Sequence, residues 1–407
     1  MNILIITQLY PQPDDEGGNK VTHTVEYFAK EWVELGHNVV VMHCSSKFPL
    51  PHYLIPKSVK DKYAYKTSNI IPSLSSRKKI YREEFGIKIY RIPMYKMLPG
   101  RAYSKGKMNG VENEIAKKLI NNSFVPDLVV GHFANPSLEL VALLGKRYNC
   151  KTSIVFHGDC NESTIARYRI KENVVNVGAI GVRSIHEAES IKQILNLDKM
   201  PFICYSGVPN NSIANSSAIC DKHDFSMGIK YIYVGSLIAR KHLDAVIKAF
   251  DKVKEPNDTL TIVGGGPEED GLKALANNLG LNNQVVFAGR VDRNEVLNYM
   301  KNANVFTLIS DHEVFGMVYF EAMLQGCLTI ASKNGGFDGI IRDGENGFIC
   351  EPGNADELIK VYQRIKALSL KERNTIGNNA IKLARQFSEK DVAKKYLEDI
   401  LERNNRL

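Results

Sequence analysis

Residues 310–326 read SDHEVFGMVYFEAMLQG. Two carboxylates, Glu313 and Glu321, bracket a Phe315-Gly316 turn and an apolar run. The preceding VFTLIS (305–310) reads as a buried strand. MVYFEAMLQ reads as a helix in which Met317, Phe320 and Leu324 share a face and Gly326 marks the end. Glu313 is therefore expected in the loop at the C-terminal end of a strand, and Glu321 about one turn into the helix with apolar neighbours on both sides. A carboxylate in apolar surroundings is costly without a partner, and ligand hydroxyls would supply one. Between the acids, the helix N-terminus at Phe315, Gly316, Met317 and Val318 presents backbone N–H groups, an anion site. Acid, anion site, acid is the order in which a sugar, a diphosphate and a ribose present hydroxyls, charge and hydroxyls. A helix start with one incidental and one structural acid would read the same way.

A second cluster is cationic. In IYVGSLIARKHLDAVIKAF (232–250) a strand ends at Gly235, a loop carries Arg240 and Lys241, and a helix begins. Adjacent cations beside a helix N-terminus suit an anionic ligand; a solvated basic pair on a loop is the alternative. TIVGGGPEEDGL (261–272) places three glycines, a proline and acids between a strand and a helix. The glycines would allow close backbone approach to a phosphate; the stretch lacks the Gly-x-Gly-x-x-Gly arrangement and the Lys-Ser/Thr of nucleotide loops, and a tight turn is the alternative. Gly335 and Gly336 follow another strand, where a loop could pack close to a ligand or simply turn.

The elements that must position these residues alternate. NILIIT (2–7), NVVVMHC (38–44), DLVVGH (127–132), TSIVFHG (152–158) and VGAIGV (177–182) are apolar strand runs separated by helical patterns. The first helical pattern, 20–37, has Val21, Val25, Phe28 and Trp32 on one face. Residues 211–228 are small and polar and read as a linker. The alternation then restarts at 229–235 and runs to 328–332, and 388–403 forms a closing amphipathic helix. Apolar strands alternating with helices imply parallel sheets covered on both faces. The fold class is α/β, with two doubly wound domains: residues 1–212 and residues 213–387, followed by the closing helix, for which 388–407 is assigned to the first domain on the resemblance given below. In such sheets ligands bind outside the carboxyl ends of the strands.

Bulk properties narrow the class. The chain has 407 residues, 44% hydrophobic and 24% charged, the composition of a globular protein. No apolar run reaches the ~18–20 residues that span a bilayer. The N-terminus reads as a first strand and not as a signal peptide. Seven scattered cysteines form no Cys-x-x-Cys pair, so neither a disulfide framework nor a zinc site is expected, and a reducing cytoplasm fits. The net charge of +8 is uneven: residues 57–107 hold fourteen Lys or Arg against Asp61, Glu83 and Glu84, with six tyrosines interleaved. Anionic lipid, an anionic substrate or a solvated surface insertion each fit this stretch. No recognition motif for nucleic acid accompanies it.

The run from Glu313 to Glu321, with Phe315-Gly316 inside it, resembles the paired-glutamate motif of family-four glycosyltransferases. GGNKVTHTVEYFAKEWVELGHNVVV, ICYSGVPN (203–210), VGSLIARKHLD, IVGGGPE, VVFAGRV and SKNGGFDGIIRDGENGF follow in that family's order, over nearly the whole chain. The resemblance implies the GT-B fold, two Rossmann-like domains facing across a cleft, with the C-terminal helix packing back on the first. It implies transfer of a hexosyl unit from a nucleotide sugar with retention at the anomeric carbon, a UDP-sugar favoured over a GDP-sugar. By position, Glu313 would contact the donor sugar, Glu321 the ribose hydroxyls, and Arg240 and Lys241 the diphosphate. Backbone groups at Phe315–Val318 would meet sugar and phosphate, and the backbone near Val291 the base. The loop at Gly17 and Gly18 would approach the phosphates, and His157 in FHGD would lie beside the reacting sugar. Ser236 and His242 depart from the arginine and glycine common at their positions, which bears on the diphosphate grip.

Fixed cations and a helix N-terminus stabilise a leaving nucleoside diphosphate as its charge develops. No metal and no cofactor is then expected, and no Asp-x-Asp pair is evident. No second acid stands in an obvious position to form a covalent glycosyl intermediate. The resemblance is nearest to enzymes of bacterial polysaccharide assembly, whose acceptors are glycans or lipid-linked glycans. The expected location is the cytoplasm, peripheral to its membrane, with the 57–107 stretch at an anionic surface. A small soluble acceptor, a sugar-nucleotide epimerase and a non-catalytic sugar-nucleotide-binding subunit are the alternatives; the last would be expected to have lost Glu313, Lys241 or Glu321.

Overall fold

The computed structural model of the protein describes residues 1–12, 22–56, 59, 74–209, 212–213, 222–311, 313 and 316–405. Gly17, Gly18 and Phe315 lie outside the described residues, as do half of the predicted linker and most of 57–73. The chain forms two compact units. One comprises Met1–Arg183, Glu187–Cys204 and Val392–Leu407; the other comprises Ser184–His186 and Tyr205–Asp391.

The first unit is built on an eight-stranded sheet. Its strands are β1 (Asn2–Thr7), β2 (Asn38–His43), β4 (Ile80–Glu84), β5 (Ile87–Arg91), β7 (Leu128–His132), β8 (Lys151–Val155), β9 (Ala179–Val182) and β10 (Phe202–Ile203). The order is β10-β9-β8-β7-β1-β2-β5-β4. β1, β2 and β7 are the apolar runs of the sequence, nearly fully buried because helices cover both faces. Two short strands, β3 (Ser46–Lys47) and β6 (Met94–Tyr95), pair separately. The helices are α1 (Thr24–Glu34), α2 (Pro51–Leu54), α3 (Lys105–Asn121), α4 (Ser137–Tyr148), α5 (Glu162–Ile165), α6 (Ile170–Val174) and α7 (Ile185–Leu195).

The basic stretch is more than an insertion. Its residues 80–91 form an antiparallel hairpin, β4 and β5, that closes one edge of the sheet. Phe85 and Gly86 make the two-residue turn, both with positive φ (53° and 72°), the geometry that matches strand twist. The sequence reading missed it because charge obscured the alternation of Ile87, Ile89 and Arg91, the three buried residues of β5.

In the second unit every strand is parallel: β11 (Lys230–Val234), β12 (Thr259–Val263), β13 (Val285–Gly289), β14 (Val305–Leu308), β15 (Leu328–Ser332) and β16 (Phe348–Cys350). The order is β13-β12-β11-β14-β15-β16. The direction of winding reverses between β11 and β14, so a crevice is expected beyond their C-terminal ends. The helices are α8 (Leu243–Val253), α9 (Glu269–Asn278), α10 (Arg293–Asn302), α11 (Met317–Leu324), α12 (Ala355–Ala367) and α13 (Leu370–Arg385). Part of the predicted linker is packed rather than free: the Lys222 ammonium donates to Met300 O and Lys301 O (2.9 and 3.0 Å) and to Gln325 O (2.5 Å), capping the C-terminal ends of α10 and α11.

The chain ends in α14 (Glu389–Asn404), whose greater part belongs to the first unit. Tyr396 packs edge-on to Phe28 at 4.8 Å, and the Trp32 indole donates to Ala393 O at 2.9 Å. Among the described residues no helix is long and apolar enough to cross a membrane.

Candidate functional site

The loops after β11 and β14 meet at the point where the winding reverses. Lys241 ends a single 3-10 turn, Ala239–Lys241, and is buried. Its ammonium donates to Glu313 Oε2, Ser310 Oγ donates to the same oxygen at 3.0 Å, and Arg240 Nη1 lies 3.8 Å away. The two loops are also stitched by backbone. Asp311 N donates to Arg240 O at 2.8 Å, and Arg240 Nη1 to Asp311 O at 3.2 Å. Burial pushes the Lys241 amine down, and the Glu313 carboxylate opposes that shift. The pair places two cations around one acid, a net positive charge, at the carboxyl end of the sheet.

His242 follows in the left-handed region (φ 50°), where glycine is favoured. Its Nε2 meets Asp311 Oδ2 at 2.6 Å. A Cβ on Gly353 would come within 2.8 Å of the imidazole Nδ1, so that glycine makes room for the ring. The departure at this position is therefore accommodated by an added polar contact to the β14 loop.

Beyond Glu313 the chain turns at Gly316 (φ 77°) into α11. A Cβ there would approach the Tyr319 ring to 2.5 Å, so glycine is required twice over, by conformation and by space. Met317 and Val318 form the first turn of α11, half-buried. Tyr319 is held by its hydroxyl donating to Leu308 O at 2.8 Å and by Phe337 at 4.7 Å. Glu321 is one turn in. Its carboxylate is only 13% exposed and receives Arg293 Nη2 at 2.6 Å. Burial raises its affinity for a proton, and Arg293 opposes the rise.

Arg293 was missed by sequence reasoning. It is the first residue of α10, directly after Asp292, whose side chain caps that helix by accepting from Glu295 N at 3.0 Å. The signal for it was the short span between VVFAGRV and a capped helix. Val291 lies in that span, partly buried against the second-unit core. The triple glycine has the tight-turn role. A Cβ on Gly264 would come within 1.8 Å of Gly235 O, and one on Gly266 within 2.2 Å of Leu237 O. These glycines let the β12 loop lie flush on the β11 loop.

His157 belongs to the first unit, just past β8. Its Nε2 lies 3.0 Å from His132 Nδ1, and its ring stacks on Phe133 at 4.1 Å. Asp159 binds the surrounding backbone: its carboxylate accepts from His157 N at 2.9 Å and from Ala134 N. Glu187 accepts from Gly158 N at 2.8 Å and Arg183 N at 2.9 Å. Burial lowers His132 to about 3 and takes His157 well below the ordinary imidazole value; nearby Arg183 adds to both shifts. Both rings are neutral at pH 7. His132 and Asp159 are the residues that orient His157, and a histidine ending a buried strand was the available sign of the first. Among the described residues no group of three or more His, Cys, Asp or Glu is arranged to hold a metal ion.

Residues 219–383 match the family described as glycosyl transferases group 1. An uncharacterized glycosyltransferase of Methanocaldococcus jannaschii is 26% identical over 307 residues, covering 74% of this chain and 80% of its own. A putative teichuronic acid biosynthesis glycosyltransferase, TuaC of Bacillus subtilis, is 22% identical over 374 residues and 89% of each chain. Four further glycosyltransferase relatives match over less than half of their own length. Among solved structures, HepE of Anabaena in complex with UDP superposes with a TM-score of 0.70 at 17% identity, over 99% of this chain and 100% of that one. A complex of HepE with UDP and glucose is also similar, with a TM-score of 0.65 at 18% identity over 99% of this chain and 100% of that one. These likenesses show the GT-B fold, with its two α/β domains. Residues 219–383 thus carry the signature of the group 1 glycosyl transferases, and the chain along most of its length is similar to glycosyltransferases of the family-four type.

Proposed function

We propose that the protein transfers a hexosyl unit from a nucleotide sugar, a UDP-sugar before a GDP-sugar, with retention of anomeric configuration. The acceptor is a glycan or lipid-linked glycan of a cell-surface polysaccharide. The observation that carries the reading is the Lys241–Glu313 pair with Arg240 beside it, at the winding reversal and next to the N-terminus of α11. A diphosphate entering there meets two cations and helix N–H groups, and the charge released as the glycosidic bond breaks is stabilised by groups already in place. The Glu313 carboxylate, held by Lys241 and Ser310, faces the sugar; Glu321 accepts from the ribose hydroxyls. Neutral His157 is available as a hydrogen-bond partner for the sugar. Retention follows a same-face displacement in which a phosphate oxygen takes the acceptor proton. The similarity to TuaC, a putative teichuronic acid biosynthesis glycosyltransferase, and to HepE, which binds UDP and glucose, favours a polysaccharide acceptor and a uridine nucleotide.

The test is a panel of nucleotide sugars scored for hydrolysis, then repeated with glycan and lipid-linked acceptors. A single UDP-sugar should be turned over fastest, with acceptor raising the rate, and activity should survive EDTA because Lys241 and Arg240 carry the leaving-group charge. Loss with EDTA, restored by a divalent cation, would overturn the metal-free reading. Interconversion of donor sugars without acceptor would identify an epimerase.

A pH dependence follows from Glu321. Ribose hydroxyls donate to its ionised form, so nucleotide affinity should hold above the raised carboxyl value and fall as pH drops through it. Arg293→Gln removes the opposing charge, raises that value further and moves the fall to higher pH. UDP titrations between about pH 5 and pH 8 measure the shift. An unmoved profile would show that Arg293 does not act on Glu321.

A further inference from the structure

Exposed apolar side chains of the first unit flank the β3–β6 strand pair. Leu50 and Leu54 lie at α2, Tyr95 ends β6, and Met97 and Leu98 follow it; Leu54 is 83% exposed and Met97 64%. The β3–β6 pair joins the two segments, with Ser46 opposite Met94 and Lys47 opposite Tyr95, and Lys96 N donates to Lys47 O at 2.9 Å. Beneath them Phe48, Met94 and Tyr103 are buried and fix the platform. Between residues 95 and 107 lies a cavity of about 460 Å³ lined in part by Met97, Leu98, Arg101 and Lys107.

The charge of this face is predominantly positive. Residues 44–56 and 85–111 contain no Asp or Glu and seven Lys or Arg, of which Arg91 is buried. Arg101, Lys105 and Lys107 are exposed, Lys105 lies 3.7 Å from the Glu172 carboxylate, and the Lys96 ammonium lies over the Phe48 and Tyr103 rings, 5.9 and 4.9 Å from their centroids. Apolar tips beside an excess of cations are what an interfacial lipid-binding surface requires: the tips enter the acyl boundary while the cations stay at the anionic headgroups. A second copy of this chain would set cation against cation. Nucleic acid would meet the cations and leave the leucines and methionine in water.

We propose that this face docks reversibly on an anionic lipid bilayer, with Leu50, Leu54, Met97 and Leu98 entering the headgroup layer. The proposal deepens the lipid-linked acceptor reading and rests on it for its purpose; the binding itself requires no transfer activity. Flotation with vesicles of phosphatidylglycerol and phosphatidylcholine in equal parts tests it. Wild type should float at low salt, release at high salt, and stay down with phosphatidylcholine alone. The triple change L54S/M97S/L98S should reduce the bound fraction about tenfold or more, while the circular dichroism and donor hydrolysis stay those of wild type. Leu54→Ser alone, at a side chain with almost no buried surface, guards against misfolding and should give a partial loss. Arg101→Ser with Lys107→Ser should weaken binding at low salt and flatten its salt dependence. Wild type remaining down with anionic vesicles at low salt would overturn the proposal. So would a triple variant that floats like wild type, or a wild-type self-association that the triple variant abolishes. Failure of donor hydrolysis in all proteins, with flotation as described, would instead count against the transferase reading.

Discussion

Lys241→Met is expected to lower kcat by about 10²–10³-fold, the loss seen when a preorganised charge at a developing anion is removed. The structure gives two reasons for an effect this large. Lys241 is buried in the loop after β11, where water cannot replace its charge, and its position is fixed by Glu313. The same burial gives the variant a structural cost, because Glu313 loses its main partner; an uncompensated charge of this kind destabilises by about 3 kcal/mol or more. The double change Lys241→Met with Glu313→Gln separates the two effects. It should recover most of the lost Tm and none of the lost turnover. Arg240→Gln should be milder, since Arg240 is the more exposed of the two and stands at 3.8 Å from Glu313. A Lys241→Met enzyme with a raised KM and an unchanged kcat would mean that the ammonium binds donor without acting on the leaving group.

The pattern of apolar strands was legible because period and burial agree. NILIIT, NVVVMH and YIYV are largely buried in the structure, and Gly235 follows the last of them. The triple glycine was also readable as a turn, and the close approach of Gly264 and Gly266 to the β11 loop supplies the reason. What the chain did not disclose depends on neighbours distant in sequence. Arg293 meets Glu321 across 28 residues, and His132 meets His157 across 25; no local spacing encodes either contact. The β4–β5 hairpin was hidden for a different reason: at a sheet edge charged residues are tolerated, so the apolar alternation is diluted. Lys222 and His223 looked like linker because they are polar. They are packed because helix C-terminal carbonyls need donors, Gly326 O among them, which the His223 ring meets at 2.9 Å.

The two glutamates carry the account, and they should separate in one calorimetric experiment. Glu313 is held by Lys241, Arg240 and Ser310, so it would compete with a diphosphate for the cations, and it is assigned to the sugar in the proposed reading. Glu313→Gln keeps a hydrogen-bond acceptor for Lys241 and removes the competing charge. Transfer should fall at least about 100-fold, while UDP affinity is unchanged or tighter. Glu321, buried beside Arg293, is assigned to the ribose. Glu321→Gln should weaken UDP by about 1–3 kcal/mol, roughly 10–100-fold, through lost charge-assisted hydrogen bonds. Isothermal titration of UDP into wild type and both variants is the most direct measure. The account predicts undiminished affinity for Glu313→Gln and a clear loss for Glu321→Gln; equal weakening in both, or none in Glu321→Gln, would contradict it.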